Sequence, residues 1–146
     1  AVEEISKFNI LMTTIHLQGG AEMIEAAKSA AGNTKILGVS LLTSLDETDT
    51  SELYGNSFDD QFTKLITLAK SSSVDGIVCS PKELISLHDL NKIKVVPGIR
   101  NTQTNDDQKR TMTSQEAYAQ DADYIVVGRP ITQANNIEAA IEEYLV

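Results

Sequence analysis

A single cysteine, Cys79, leaves no internal disulfide to form, so nothing covalent ties this chain to an oxidising compartment. No apolar run approaches the ~18 residues that a membrane span needs, and the first residues carry no signal-peptide pattern. Positive charge is scarce: 12 Lys and Arg stand against 21 Asp and Glu, a net charge of −9. Such a surface repels the backbone of nucleic acid, although a few arginines focused in a pocket still hold one phosphorylated metabolite. A P-loop, zinc-ligand spacing and the dinucleotide glycine fingerprint are all missing. The expectation is a cytoplasmic protein with a small-molecule ligand, no membrane, no nucleic acid, no cofactor and no metal.

What is present reads as one α/β domain. At 146 residues the chain can bury one real core but not two. Residues Ala1 to Phe8 have a helical spacing, with Val2, Ile5 and Phe8 on one face. Strands are predicted over 9–17, 35–42, 74–79, 92–96 and 123–127, as β-rich apolar runs. Helices are predicted over 21–31, 58–70, 81–87, 114–120 and 135–144, with 46–56 a polar loop or short helix. The 21–31 helix is expected to bury Met23, Ala26, Ala27 and Ala30, and the 58–70 helix Phe62, Leu65, Ile66 and Ala69. Alternation of this kind implies a parallel sheet, and near-continuous apolar strands suggest that both its faces are covered.

The polar, glycine- and proline-bearing segments fall at the C-terminal tips of the strands, where α/β proteins build ligand sites. Thr43, Ser44, Ser80, Pro97, Gly98, Arg100, Gly128 and Arg129 are therefore expected on one rim. The last strand ends at Gly128-Arg129-Pro130 with a helix to follow: glycine admits a close backbone approach, and arginine offers a planar fork matching phosphate oxygens. A second such end is Val96-Pro97-Gly98-Ile99-Arg100. Plainer readings stand beside these. Gly128-Arg129 alone can be a strand end with a surface arginine, Arg100 a partner of Asp106 or Asp107, and Thr43-Ser44 a cap for the next segment. His16 reads as a packed core or rim histidine, His88 as exposed, Cys79 as buried and inert, and Asp46, Glu47, Asp49 and Glu52 as a solvated face.

Six motifs in order extend the pattern: His16 with Gly19-Gly20; Leu42-Thr43-Ser44; Asp75-Gly76-Ile77-Val78-Cys79-Ser80 with Glu83; Val96 to Arg100; Gln108-Lys109-Arg110 with Thr111; and Val127-Gly128-Arg129-Pro130-Ile131-Thr132. Over nearly its whole length the chain resembles the orotidine 5′-phosphate decarboxylases, which are (β/α)8 TIM barrels. The resemblance implies that Arg129 and the Gly128 backbone bind a 5′-phosphate, and that Gln108 bridges phosphate and base. It implies that Pro97 and Arg100 serve the phosphate end, and that Thr43 and Ser44 face the pyrimidine. The 101–113 segment would close over the substrate, orotidine 5′-phosphate or its product UMP.

One departure limits this. The family's chemistry rests on an Asp-x-Lys-x-x-Asp motif whose lysine protonates C6 as CO2 leaves, and no such motif occurs here. The match covers barrel strands four to eight, an incomplete barrel of about five β/α units whose N-terminal units are absent, whereas a closed barrel takes about 200–250 residues. No catalytic residue is assigned, and the chain alone is expected to be inactive. A homodimer is expected, since bare sheet edges invite pairing. The alternatives are a sugar-phosphate decarboxylase or epimerase of the same barrel superfamily, and a non-catalytic phosphate-binding half-barrel.

Overall fold

The computed structural model describes residues 1–101 and 111–145. Five parallel strands form one sheet in the order β1-β2-β3-β4-β5: β1 (Met12–His16), β2 (Lys35–Val39), β3 (Gly76–Val78), β4 (Ile93–Val96) and β5 (Tyr124–Ile125). The helices are α1 (Val2–Ser6), α2 (Gly20–Ala30), α3 (Glu47–Tyr54), α4 (Phe58–Ser71), α5 (Pro81–Leu84), α6 (Ser114–Ala119), α7 (Arg129–Thr132) and α8 (Ile137–Glu142). Among the described residues no helix is long and apolar enough to cross a membrane. Strand order follows chain order without reversal. A doubly wound sheet reverses its order at a switch point, whereas a (β/α) barrel does not.

The register decides which side chains meet the helices. Met12 pairs with Lys35, Gly38 with Ile77, Val78 with Val95 and Val96 with Ile125. Because side chains alternate along a strand, Ile15, Ile36, Ile77, Cys79, Val96 and Ile125 share one face. They pack with Leu17, Ile24, Phe62, Leu65, Ile66, Ala69, Leu84 and Leu87 into the core. The opposite face carries Thr14, Leu37, Val39, Val78, Val95, Tyr124 and Val126. Leu37 and Val95 are buried there, while Tyr124 and Val126 remain 43% and 49% exposed. The expectation of two covered faces is thus corrected: helices cover one, because in-order parallel crossovers of one hand fall on one side. Over the other, Gly76 is obligatory, since a Cβ there would lie 2.6 Å from Ile93 Cβ and 2.7 Å from Leu37 Cδ2.

Two aspartates fix the N-terminal edge of the sheet in the same way. The Asp75 amide donates to the Ile36 carbonyl at 2.8 Å, and the Ile36 amide returns the bond to Asp75 Oδ2 at 2.7 Å. The Asp123 amide donates to Lys94 O at 3.0 Å, and the Lys94 amide to Asp123 Oδ2 at 2.8 Å. Lys28 Nζ from α2 reaches both Asp75 oxygens, at 2.7 and 2.6 Å. Burial raises the Asp75 pKa, but the hydrogen bonds from Lys28 and Ile36 and the charges of Lys28 and Lys35 outweigh it and hold the carboxyl below its ordinary value of 3.8.

Most predicted elements are found, and the differences have local causes. The first strand starts at Met12 instead of Asn9, which sits at φ 51° and turns the chain. The 46–56 segment is a helix because Asp46 and Asp49 form a reciprocal capping box, each carboxylate accepting the other's amide at 3.0 Å. Helix α2 buries Ile24 and Ala27, while Met23 and Ala26 face solvent; the apolar stripe is turned from the expected one. The buried face of α4 is as expected.

Asp75→Ala should cost on the order of 1–3 kcal/mol at neutral pH, by stranding the Ile36 amide and Lys28. Because the folded carboxyl is the stronger acid, its contribution is complete above 3.8 and fades as pH falls through the lower folded value. Urea melts across pH 2–7 should therefore show the variant and parent converging in acid; a constant gap would assign the effect to packing.

Candidate functional site

Parallel register brings the C-terminal ends of all five strands to one edge. After β2, Ser40 is buried and continues the ladder through its amide to Val78 O at 3.1 Å. A tight turn follows, closed by the Leu45 amide on Leu42 O at 3.0 Å, with Thr43 half-buried and Ser44 exposed at its centre. The cap of α3 is Asp46, so neither Thr43 nor Ser44 serves as the helix N-cap.

The end of β3 carries a network that the sequence reading left out of the site. Glu83 is only 6% exposed, and its carboxylate accepts the Ser80 amide at 2.8 Å and the Ser40 hydroxyl at 3.3 Å. The signal was available, since Ser-x-x-Glu ahead of an apolar run is a capping pattern. The Ser80 hydroxyl is buried without a hydrogen-bond partner, and the alternation of β3 puts it on the side of Val78, opposite the core residue Cys79. Cys79 is buried as expected, and burial pushes its thiol up to about 12, with Glu83 adding to the rise and Lys94 opposing it.

At the end of β4, Pro97 is half-buried and the buried Gly98 adopts φ 78°, a conformation that favours glycine and turns the chain sharply. Arg100 is half-buried; its Nη1 donates to Ile99 O at 2.7 Å and its amide to Met112 O at 2.9 Å. Gln108, Asp106 and Asp107 lie outside the described residues, and with them the proposed bridge to the base and the alternative partners of Arg100. At the end of β5, the Gly128 carbonyl accepts the Ile131 and Thr132 amides at 2.9 and 3.0 Å, so α7 begins at Arg129 itself. Gly128 is exposed, and a Cβ there would meet nothing within 4 Å. Helix α7 is one turn long, and Arg129, its first residue, is half-buried. β4 and β5 are hydrogen-bonded neighbours, which makes the Pro97–Arg100 and Gly128–Arg129 ends adjacent.

His16 is exposed at the end of β1, a rim and not a core position. His88 is exposed and pairs with Asp121 at 3.2 Å. Among the described residues no three His, Cys, Asp or Glu gather closely enough to hold a metal.

A family model, "Orotidine 5'-phosphate decarboxylase / HUMPS family", matches residues 1–144. The chain belongs to this family. It is 42% identical, over 99% of its length, to an orotidine 5′-phosphate decarboxylase of Aquifex aeolicus, and 40% identical, over 98%, to one of Erythrobacter litoralis. It spans 65% and 66% of the length of those two relatives. The crystal structure of the Lactobacillus acidophilus orotidine 5′-phosphate decarboxylase superposes with a TM-score of 0.80 at 32% identity, covering 99% of this chain and 68% of that one. The five in-order parallel strands are therefore part of the family's TIM barrel, and the partly open face of the sheet is the side that would line the barrel interior.

The burial of Cys79 is testable with a thiol reagent. In the folded protein its reaction with iodoacetamide at pH 8 should be negligible over hours and become fast in denaturant; rapid native labelling would place the thiol outside the core.

Proposed function

We propose that these 146 residues form one partial-barrel domain, the phosphate- and base-binding part of an orotidine 5′-phosphate decarboxylase that acts in the cytoplasm as a homodimer. The observation that carries this reading is the pairing of β4 with β5, which sets the Pro97–Arg100 end beside Gly128–Arg129 in a chain of this family. Arg129 and the Gly128 amide would take the 5′-phosphate, with Arg100 and Pro97 at the same end. Thr43 and Ser44, across the rim on the turn after β2, would face the pyrimidine. Ser80, whose hydroxyl is buried and unpartnered near the same edge, is a further candidate for a polar contact with the ligand.

The chemistry asked of the site is loss of CO2 from C6 of the base, which leaves an electron pair on that carbon and then requires a proton. Charge-assisted contacts to the distant phosphate, each about 1.5–3 kcal/mol, would supply binding energy for assembling the closed site. Five of the described lysines sit where they would not serve as the proton donor. Lys28 and Lys92 are held at the N-terminal edge, Lys28 on Asp75 and Lys92 on Val74 O at 2.7 Å. Lys35 begins β2 at that same edge. Lys94 alternates with Val95 onto the helix-covered face, and Lys82 shares an outer groove with Asp46, Glu47 and Phe58. The Asp-x-Lys-x-x-Asp group would come from outside these residues, in the third of the barrel that the relatives possess in addition.

UMP formation from orotidine 5′-phosphate should be negligible for the 146 residues alone and measurable for a polypeptide that also carries the other three β/α units. Turnover by the 146 residues near that of a complete enzyme would overturn the division of labour. In the complete protein, Arg129→Ala should weaken UMP binding by about 2–4 kcal/mol. Calorimetry would show it, and a loss below about half a kcal/mol would place the phosphate elsewhere. Ribulose 5-phosphate displacing UMP at equal concentration would favour a sugar phosphate as the substrate.

A further inference from the structure

Asn101, next to Arg100, is held by three hydrogen bonds. Its side-chain Nδ2 donates to the Glu143 carbonyl at 2.6 Å. Its Oδ1 accepts the Ser114 amide at 2.8 Å. Its own amide donates to the Tyr144 hydroxyl at 3.3 Å. Ser114 is the first residue of α6, so its N–H is one that a helix cannot satisfy internally. Glu143 is the C-terminal cap residue of α8, whose carbonyl is orphaned for the same reason. One carboxamide therefore caps two helices at opposite polarity. Only a side chain with both a donor and an acceptor does this, which excludes aspartate, serine's shorter reach, and any apolar residue.

Two of the three partners are buried, and the third, Glu143, is exposed. Ser114 is 2% exposed and Tyr144 is 5% exposed, its ring within the core. The adjoining backbone is pinned as well, by the Ile99–Met112 bridge and the Arg100 amide on Met112 O. Helix α8 packs on α7, which opens with Arg129. A continuous path of hydrogen bonds and packing thus runs from Arg100, through Asn101, to the α7–α8 unit that carries Arg129.

We propose that Asn101 is a positioning residue for the phosphate end of the site: it fixes the β4 end that bears Arg100 relative to the α7–α8 unit that bears Arg129. The proposal rests on the phosphate reading above. It touches no ligand itself; it sets the separation of two groups that do. A misplacement of either would weaken contacts to a phosphate while leaving those to the base and ribose in place.

The test compares UMP with uridine, which lacks the phosphate, in calorimetric titrations of the complete protein. Asn101→Ala should bind UMP about tenfold more weakly, the equivalent of one lost contact, while uridine affinity stays within about twofold of the parent. Asn101→Asp keeps the bond to Ser114, loses the donor to Glu143, and should move UMP affinity in the same direction; it carries the test if the alanine variant does not fold. With orotidine 5′-phosphate as substrate, the loss should fall in KM more than in kcat. A folded variant that keeps the parent's preference for UMP over uridine overturns the positioning role. So does equal weakening of both ligands, which would mark general loosening. A parent protein that binds UMP no better than uridine removes the phosphate reading itself, and the role of Asn101 with it.

Discussion

The parallel sheet hangs on two backbone–carboxylate clasps at its N-terminal edge. Asp75 and Asp123 each exchange one backbone bond with the neighbouring strand and add a second through the side chain, to Ile36 and Lys94 respectively. Parallel pairs have no hairpin to set their register, so each strand must find its partner after a long crossover. A slip of one residue would turn Ile77 and Cys79 away from the core and bring Gly76 and Val78 into it. The clasps oppose that slip. Both aspartates stand one residue ahead of the strand they anchor, in Asp75-Gly76-Ile77-Val78 and Asp123-Tyr124-Ile125-Val126.

With the register set, the two ends of the sheet have different work. The N-terminal edge holds charge in closed pairs: Lys28 on Asp75, and Lys92 on backbone carbonyls. The C-terminal edge holds glycines, short polar side chains and the two half-buried arginines Arg100 and Arg129. The chain as a whole carries a net charge of −9. The helices stabilise one face only. The other face, with Val126 and Tyr124 partly exposed, is the one that the remaining barrel strands would complete in a full-length relative.

The rim positions of the candidate site were legible in the sequence wherever they depended on what a strand ends with. Val96-Pro97-Gly98-Ile99-Arg100 and Val127-Gly128-Arg129-Pro130 stand out because a glycine, a proline and an arginine follow a β-rich run. Asn101 did not, because a lone asparagine in a polar stretch carries no local pattern; of its partners, Ser114 opens the next helix and Glu143 and Tyr144 lie near the end of the chain. Ser80 and Glu83 fall between. Their spacing is a capping pattern, but only burial shows that the Glu83 carboxylate also takes Ser40 from the neighbouring strand and that the Ser80 hydroxyl is left over.

From sequence alone came the alternation of strands and helices, the buried face of α4, the strand ends and the missing lysine motif. These depend on short-range periodicity and on residue type, which a linear chain displays directly. Tertiary structure decided which face of the sheet the helices cover, which stripe of α2 is buried, and which residues hold the two arginine-bearing ends in place. Those outcomes depend on register and on partners dozens of residues away. Ile24 and not Met23 is buried because packing against the sheet, and not the helix's own pattern, chooses the contact stripe.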